Sequence, residues 1–312
     1  MSKGRKIILA GGSGFLGRAL AAQLVGAGDE VVVLTRRPSA RIGALRTAFW
    51  DGQTKGAWCA ELEGAHAVIN LAGRSVDCRY TPLNRRLILE SRLCSTRILA
   101  LAIKDTATPP KYWVNAASAT IYADTRGAAP ANTEADGVIG EGLSVDVCQA
   151  WEAEFHRWTL PETKQVCLRV AITLGVDGGA MVPLMRLAKL GLGGKQGSGQ
   201  QWVSWLHVDD FCGIVCAVID GQLKGSLYNC ASPHPVKNID FMRAVRRAVG
   251  GFGQRFGLPI PKFLLKIGAW MIRTETELIL KSRKVAPQNL IVAGYRFQYE
   301  ALEDGLCSIA KA

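Results

Sequence analysis

Short runs of apolar residues alternate with longer stretches of helical periodicity along the first 175 residues of the chain. The apolar runs predict β-strands, and the periodic stretches predict helices between them. The expected strands are Ile7–Ala10, Val31–Leu34, Ala67–Leu71, Tyr112–Ala116 and Val166–Val170, and the expected helices are Phe15–Val25, Pro82–Lys104 and Val145–Trp158. Because alternating strands and helices build βαβ units, the pattern predicts an α/β fold with a doubly wound parallel sheet of Rossmann type.

Beyond residue 175 the pattern is less regular. Five glycines lie within residues 191–199, and the aromatic run Trp202-Val203-Ser204-Trp205 follows them. The expected helices in this half are Asp209–Ile219, Asn238–Val249, Pro261–Ile272, Gln288–Ala293 and Leu302–Ala310. We therefore predict a Rossmann domain over residues 1–175, to which residues 200–230 return, and a smaller, mostly helical C-terminal lobe over residues 176–312.

A glycine-rich turn joins the first predicted strand to the first predicted helix. Gly11, Gly14 and Gly17 have the spacing GxxGxxG, and Gly12 also completes GxGxxG. Such a turn lets the backbone approach a pyrophosphate, whose negative charge is favoured at a helix N-terminus. The alternative is a glycine turn that binds nothing. We predict dinucleotide binding by the residues of the turn, which are Gly11, Gly12, Ser13, Gly14, Phe15, Leu16 and Gly17.

The residues after the second strand bear on the choice of dinucleotide. An NAD site places a carboxylate there to bind the ribose 2′-hydroxyl, whereas this chain has Thr35-Arg36-Arg37. Guanidinium groups can hold a 2′-phosphate bidentately, and a carboxylate would repel it. We therefore predict NADP(H), with Thr35 beside the phosphate and Arg36 as its main contact. Arg37 either assists or is a solvated loop charge.

Charge and cysteine usage narrow the class of protein. The net charge of +12 comes from dispersed basic residues, and no nucleic-acid-binding motif accompanies them, so we expect no nucleic-acid partner. Nine scattered cysteines without CxxC or zinc spacing indicate reduced cytoplasmic thiols and no metal site. The glycine turn starts by residue 11, which leaves no room for a targeting peptide, and we expect no membrane span.

Several motifs resemble, in the same order, those of the extended short-chain dehydrogenases/reductases. They are the glycine turn, Asn70–Gly73, Ala117–Tyr122 and Leu206–Asp210. Others resemble an atypical subgroup labelled "NAD-dependent epimerase/dehydratase, SulA-like cell-division inhibitor family"; these are Ala150–Glu154, Leu174–Ala180, Gly191–Gly194 and Gly197–Trp202. The similarity extends over nearly the whole chain, including Lys284–Pro287 and Ala293–Tyr295.

The resemblance implies roles for particular residues. In the wider family a serine polarises the substrate carbonyl, a tyrosine transfers its proton and a lysine lowers the tyrosine pKa. Ser118 matches the serine, although a hydroxyl there can also cap a turn. Ser144 and Cys148 stand at the tyrosine and lysine places, and Arg92 stands where a supporting asparagine is expected. Ser118 and Cys148 are therefore the catalytic candidates.

These departures have chemical consequences. A serine hydroxyl is a poorer proton donor than an activated phenol, and a neutral thiol cannot replace an ammonium group. Cys148 is either a thiolate of lowered pKa near Arg92 or an inert buried thiol. Arg92 either contacts the cofactor or forms an ion pair on the helix surface. The other cofactor contacts that the fold and the family imply are Leu71, Ala72, Gly73 and Ile172.

The candidate substrate pocket comprises Tyr122, Trp202 and Trp205. Two tryptophans beside a glycine-rich loop suit a flat or apolar ligand, although Trp205 could equally belong to the core. Residues Thr125–Gly142 lie where a substrate lid would hang, or else form a solvated loop. Nucleotide-sugar enzymes of the family often have a diphosphate-binding arginine where this chain has Val203, which argues against a sugar-nucleotide epimerase.

The leading hypothesis is an NADP(H)-binding oxidoreductase that acts on an unknown small molecule. The second is a non-catalytic NADP(H)-responsive binding protein linked to cell division, which the missing tyrosine–lysine pair favours. A nucleotide-sugar epimerase is the disfavoured third. We expect a cytoplasmic monomer or homodimer.

Overall fold

A seven-stranded parallel sheet is the main feature of the computed structural model, which describes residues 4–37, 45–263 and 280–311. The strands are β1 (Lys6–Ala10), β2 (Glu30–Thr35), β3 (Arg46–Phe49), β4 (Ala67–Asn70), β5 (Tyr112–Ser118), β6 (Lys164–Val170) and β11 (Leu227–Cys230). Their order is β11-β6-β5-β4-β1-β2-β3. The chain thus proceeds outward in opposite directions from β1 and β4, and a crevice opens at the carboxyl ends of these two strands.

Helices cover both faces of the sheet. They are α1 (Phe15–Gly26), α2 (Pro82–Asp105), α3 (Leu143–His156) and α5 (Val208–Ile219). Ile7 and Leu9 of β1 pack in the layer of α1 and α5, whereas Ile8 and Ala10 pack in the layer of α2 and α3. The strands are apolar on both faces because both faces are covered, as in other parallel sheets.

Local signals explain where two of these helices begin. Thr81 caps α2 by accepting a hydrogen bond from the Asn84 N–H at 3.2 Å, and Pro82 occupies the first helical position, where its missing N–H costs nothing. His207 caps α5, because its Nδ1 accepts from the Asp209 N–H at 3.2 Å. His207 therefore has a structural role at the start of α5.

The rest of the chain forms a lobe of small sheets and helices. Its strands are β7 (Ile172–Gly175), β8 (Gly178–Gly179), β9 (Trp202–Val203), β10 (Trp205–His207) and β12 (Val236–Lys237). Its helices are α4 (Met181–Lys189), α6 (Asn238–Val249), α7 (Gly251–Arg255) and α9 (Leu302–Lys311), whereas α8 (Gln288–Val292) packs against β11 of the main sheet. The core of the lobe lies where α6 and α9 pack around the fully buried Trp205 ring.

The sequence pattern predicted the five central strands and the three helices between them to within a few residues. It missed β3 and β11, the two edge strands. The helix expected at Pro261–Ile272 lies mostly outside the described residues. Among the helices that the structure describes, none is both long and apolar enough to cross a membrane.

Candidate functional site

A cleft of about 850 Å³ opens at the carboxyl ends of β1, β2 and β4. The glycine turn forms its floor, the end of β2 and the segment after β3 form one wall, and the segment after β4 with one face of α2 forms the other. The lining residues include Gly11, Ser13, Gly14, Thr35, Arg36, Arg37, Trp50, Asp51, Leu71, Ala72, Gly73, Ser91 and Ser95. Residues predicted from three separate motifs therefore meet in one cleft.

The glycine turn is too crowded for side chains. Gly11 has φ +78°, and a Cβ atom there would lie 2.9 Å from the Ala72 backbone. A Cβ atom on Gly17 would lie 2.4 Å from the Gly12 Cα atom, so α1 packs directly on the turn. No side chain caps α1 within the described ranges, and its first turn has no acid. Its N-terminal amides are thus well suited to an anionic group in the cleft.

Arg36 and Arg37 follow β2 at the rim of the cleft, and both are exposed. The Thr35 hydroxyl oxygen accepts a hydrogen bond from the Arg37 N–H at 3.2 Å and so fixes the backbone between the two arginines. Within the part of the chain that the structure describes, neither guanidinium is in an ion pair. Their exposure places two positive charges at the rim of the cleft.

The wall that carries Arg36 and Arg37 also contains residues to which the sequence analysis gave no role. Trp50 and Asp51 line the cleft directly after β3. The Asp51 carboxylate accepts hydrogen bonds from the Thr54 hydroxyl and from the N–H groups of Gln53 and Thr54, and these bonds lower its pKa. No local motif marks these residues, because they join the wall only when β3 pairs with β2.

The segment after β4 is held by a buried amide pair. Asn70 is fully buried, and its Oδ1 accepts from the Ala72 N–H at 3.1 Å. Its Nδ2 donates to Asn115 Oδ1 on β5 at 2.8 Å. The pair therefore fixes the backbone at Leu71, Ala72 and Gly73 where these residues line the cleft.

Arg92 lies beside Gly73 on the inner side of α2. Its Nη1 donates to the carbonyl oxygens of Ile88 at 2.9 Å and Arg74 at 3.1 Å, and its Cζ lies 5.1 Å from the Trp151 ring centroid. Burial lowers the Arg92 pKa. No carboxylate among the described residues lies within ion-pair distance, so the surface ion pair considered for Arg92 is not formed. Arg92 is a half-buried cation between the cleft and α3.

A row of three neighbouring side chains lies where β5 ends against α3, formed by Ser118, Thr120 and Cys148. Thr120 Oγ1 donates to Ser118 Oγ at 3.0 Å and lies 3.2 Å from Cys148 Sγ. Ser118 caps the short 3₁₀ helix Ala119–Ile121, so the capping role considered for it is present. Sequence reasoning missed Thr120, although it stands between two residues that were singled out.

Cys148 is a neutral thiol, which corrects one of the two alternatives for it. Burial raises the Cys148 pKa, and the attraction of Arg92 is too weak to reverse that effect. Burial therefore favours the neutral thiol over a thiolate at neutral pH, and the geometry gives no support to direct nucleophilic chemistry at Cys148.

Tyr122 is only 1% exposed, and this burial corrects its assignment as a substrate-pocket residue. Its single hydroxyl proton is shared between Asn229 Oδ1 at 2.8 Å and the Thr133 carbonyl oxygen at 3.0 Å, and its oxygen accepts from Arg169 Nη1 at 2.8 Å. Burial raises its pKa. A phenol held in this way is unsuited to proton transfer to a ligand.

The two tryptophans differ in placement. Trp205 is fully buried, and its Nε1 donates to the His234 carbonyl at 3.0 Å, so the core alternative holds for it and the pocket assignment does not. Trp202 is half-buried, with the Lys237 and Lys284 ammonium groups 3.9 Å and 4.7 Å from its ring centroid. Ile172 begins β7 and is 39% exposed.

Backbone hydrogen bonds join residues 125–142 to the C-terminal part of the chain, so these residues do not form a free lid. The Thr125 N–H donates to the Ser282 carbonyl at 2.8 Å, and the Asn132 N–H donates to the Lys284 carbonyl at 2.7 Å. The Ala286 N–H donates back to the Asn132 carbonyl at 2.9 Å. The lid expectation therefore conflicts with these hydrogen bonds.

Comparison with known proteins identifies the families and relatives whose sequences are similar to this chain. A profile of the NAD dependent epimerase/dehydratase family matches residues 7–139, and a profile of the domain of unknown function DUF1731 matches residues 260–309. The epimerase family protein SDR39U1 of Homo sapiens is 30% identical over 311 residues, which cover 97% of this chain and 99% of the human protein. The epimerase family protein YfhF of Bacillus subtilis is 28% identical and covers 97% of this chain and 97% of its own.

Solved structures resemble the chain over the same extent. Human SDR39U1 (isoform 2), crystallised with NADPH, has a TM-score of 0.85 at 29% identity, over 98% of this chain and 99% of the human one. The UDP-N-acetylglucosamine 4-epimerase of Bacillus cereus has a TM-score of 0.74 over 98% of this chain and 96% of its own. Its identity is 17%, so the likeness is one of fold alone.

Proposed function

The chain belongs to the NAD dependent epimerase/dehydratase family, as an atypical extended short-chain dehydrogenase/reductase, and we propose that it is an NADP(H)-dependent oxidoreductase. Its substrate is a small molecule that presents a carbonyl or hydroxyl oxygen to Ser118. The observation that carries the proposal is the single cleft in which the glycine turn meets Arg36 and Arg37.

The cleft suits NADP(H) through the chemistry of its walls. The turn Gly11–Gly17 and the uncapped N-terminus of α1 would hold the pyrophosphate. Arg36 and Arg37, on the backbone that Thr35 orders, would hold the 2′-phosphate. Leu71, Ala72 and Gly73 would let the backbone approach the adenosine ribose and the pyrophosphate. NADPH in the crystals of human SDR39U1 supports this choice of cofactor.

Two residues complete the cofactor site in this proposal. Ile172 would offer its backbone to the nicotinamide carboxamide from the start of β7. Arg92 would supply positive charge beside Gly73, since the guanidinium has no carboxylate partner within the described residues. In this way Arg92 would replace the charge of the lysine that the wider family places where this chain has Cys148.

The chemistry of the site divides between cofactor and protein. A reduced nicotinamide supplies a hydride when it is bound. Ser118 orients the oxygen of the substrate by a hydrogen bond, and the neutral Cys148 thiol lies behind it. Neither Ser118 nor Cys148 can deliver a proton as readily as an activated phenol, so we expect slow turnover or a proton supplied by water or substrate.

Two measurements test the proposal. Calorimetry with NADPH and NADP⁺ is expected to show binding, and no affinity for either would overturn it. NADPH consumption against a broad panel of aldehydes and ketones is expected to find a substrate. Ser118→Ala is then expected to abolish turnover while NADPH affinity stays unchanged. Undiminished turnover in Ser118→Ala would remove the role assigned to Ser118.

The second candidate is a non-catalytic NADP(H)-responsive binding protein, linked to cell division. The observation that favours it is the neutral, buried Cys148 at the lysine place, with Ser144 at the tyrosine place. Capture of a protein partner only in the presence of NADPH, together with a failure to oxidise NADPH across the panel, would support this candidate over the enzyme.

A nucleotide-sugar epimerase is disfavoured. Val203 occupies the place of the diphosphate-binding arginine and is 9% exposed in the core of the C-terminal lobe. A titration with UDP- and GDP-sugars is expected to show no binding, and a tight complex would reinstate this function.

The proposed setting is the cytoplasm, with the protein a monomer or homodimer. All nine cysteines are free thiols, as a reducing compartment favours. Light scattering at assay concentrations gives the oligomeric state, and a higher oligomer would contradict the expectation.

A further inference from the structure

A chain of three side chains ends at the proposed substrate position. Ser118 ends β5, Thr120 follows in the short 3₁₀ helix, and Cys148 approaches from α3. Thr120 Oγ1 is 3.0 Å from Ser118 Oγ and 3.2 Å from Cys148 Sγ. Thr120 thus connects the residue that would touch substrate to the residue at the lysine place.

The hydrogen bonds of the Ser118 hydroxyl can be counted against its lone pairs and its proton. A serine hydroxyl oxygen has two lone pairs and one proton. Ser118 Oγ accepts from both the N–H of Thr120, at 3.3 Å, and the hydroxyl of Thr120, at 3.0 Å. Both lone pairs are therefore engaged, and the proton of Ser118 is the one group left for a ligand.

The same count gives a direction to the contact with Cys148, in which the distance alone allows either atom to donate. The Thr120 hydroxyl has a single proton, which it gives to Ser118. Its 3.2 Å contact with Cys148 Sγ is then a hydrogen bond only if the thiol S–H donates. The order of donation is Cys148 to Thr120 to Ser118.

The surroundings of Cys148 keep its thiol protonated, as this order requires. Burial raises its pKa, the Thr120 contact and the positive charges of Arg92 and Arg283 act in the opposite sense, and the negative charge of Glu152 acts with burial. The result is a thiol that keeps its proton at neutral pH. A thiolate would instead accept from Thr120 and reverse the whole chain.

We propose that Thr120 and Cys148 are positioning residues that turn the Ser118 hydroxyl outward as a hydrogen-bond donor to the substrate. This inference rests on the proposed function, in which Ser118 faces the substrate. It also narrows the substrate class, because the atom opposite Ser118 must be an acceptor, as a carbonyl oxygen is. A thiol in place of a lysine then orients the serine without supplying charge.

The S–H stretching band of Cys148 tests the proposal in the free protein. Subtracting the infrared spectrum of Cys148→Ala from that of wild type isolates this band. Cys167 is the matched reference, because it is a fully buried thiol with no hydrogen-bond partner among the described residues. The expected result is a Cys148 band at lower wavenumber than the Cys167 band. Coincident bands would overturn the proposal.

Variants of Thr120 test the same contact from the other side. Thr120→Val removes the hydroxyl at nearly constant volume and is expected to move the Cys148 band to the position of the Cys167 band. Thr120→Ser keeps the hydroxyl and is expected to restore the wild-type position. A Cys148 band that stays in place in Thr120→Val contradicts the proposal. If Thr120→Val does not fold, the comparison of Cys148 with Cys167 in wild type still decides.

Kinetics provide a separate measurement once a carbonyl substrate is identified. Thr120→Val is expected to lower kcat about 10-fold with unchanged KM for NADPH, since it misdirects Ser118 without removing it. Thr120→Ser is expected to recover wild-type kcat. Failure of NADPH to bind would refute the proposed function and leave the infrared result standing, so the two failures are distinguishable.

Discussion

Arg169 on β6 and Glu152 on α3 form a buried bidentate ion pair, with Nε 2.9 Å from Oε1 and Nη2 2.7 Å from Oε2. Arg169 also donates to the Tyr122 hydroxyl at 2.8 Å. The pair therefore joins the helix that carries Cys148 to the strand next to β5, whose end carries Ser118. It fixes the relative position of the two sides of the candidate catalytic region.

Loss of one partner of this pair is expected to be costly. In Glu152→Ala the Arg169 charge stays buried without its carboxylate, which is expected to lower the free energy of unfolding by about 3–5 kcal/mol. Asp240→Ala is the control, because it breaks the exposed Asp240–Arg243 pair, and it should cost less than about 1 kcal/mol. Urea unfolding measures both, and equal effects would contradict the importance of burial.

The crowding at the glycine turn predicts a sharp contrast between two glycines of α1. Gly17→Ala places a Cβ atom 2.4 Å from the Gly12 Cα, so the turn must shift. The expected result is a loss of about 1–3 kcal/mol of stability and at least ~10-fold weaker NADPH binding. A Cβ atom on Gly26 meets nothing within 4 Å, so Gly26→Ala should retain wild-type binding and stability or gain some stability. Calorimetry and thermal unfolding distinguish the two.

The arginine rim predicts a change of cofactor preference. Arg36→Asp removes a guanidinium from the 2′-phosphate and adds a repelling charge, so NADPH affinity is expected to fall about 10–100-fold while NADH affinity rises or is unchanged. Arg126→Asp makes the same change in net charge outside the cleft and should leave both affinities as in wild type. An unaltered ratio of the two affinities in Arg36→Asp would show that Arg36 does not contact the phosphate.

Asp210 predicts a pH dependence of stability. Its carboxylate accepts from the N–H groups of Gln298 and Tyr299, yet burial prevails and raises its pKa from 3.8 to about 6. The folded protein thus binds this proton more tightly than the unfolded chain. The stabilising contribution is present below pH ~4 and is lost as the pH rises through about 6.

The variant Asp210→Asn isolates that contribution. The stability of wild type relative to Asp210→Asn is expected to increase by ~2–3 kcal/mol between pH 7 and pH 4, after the pKa difference. Chemical unfolding of both proteins across this range measures the difference. A difference that is the same at every pH would show that the Asp210 pKa is not raised.

The sequence predicted the elements whose signal is local. β1 reads as an uninterrupted apolar run because Ile7–Ala10 are fully buried between two helical layers, and the glycine spacing directly reports the tight turn after it. The edge strand β3 was not predicted, because its four residues, Arg46–Phe49, are half-buried or exposed and do not form an apolar run. β11 is equally short.

The candidate site was predictable only in part, for the same reason. The floor and the arginine rim of the cleft follow from local motifs, whereas the wall at Trp50 and Asp51 depends on the pairing of β3 with β2. Trp205 could not be assigned from sequence, since an aromatic side chain serves a core and a pocket equally well. Thr120 could not be singled out from the sequence, because its contact with Cys148 depends on how α3 packs against the end of β5.

The hydrogen bonds from Thr125 to Ser282 and from Asn132 to Lys284 join parts of the chain more than 150 residues apart. During synthesis the Rossmann strands can pair while residues 125–142 still lack these partners. These contacts can therefore form only after translation has passed residue 286. In a ribosome-bound chain stalled before that point, the dinucleotide cleft could be assembled while residues 125–142 still lacked their hydrogen bonds to residues 282–286.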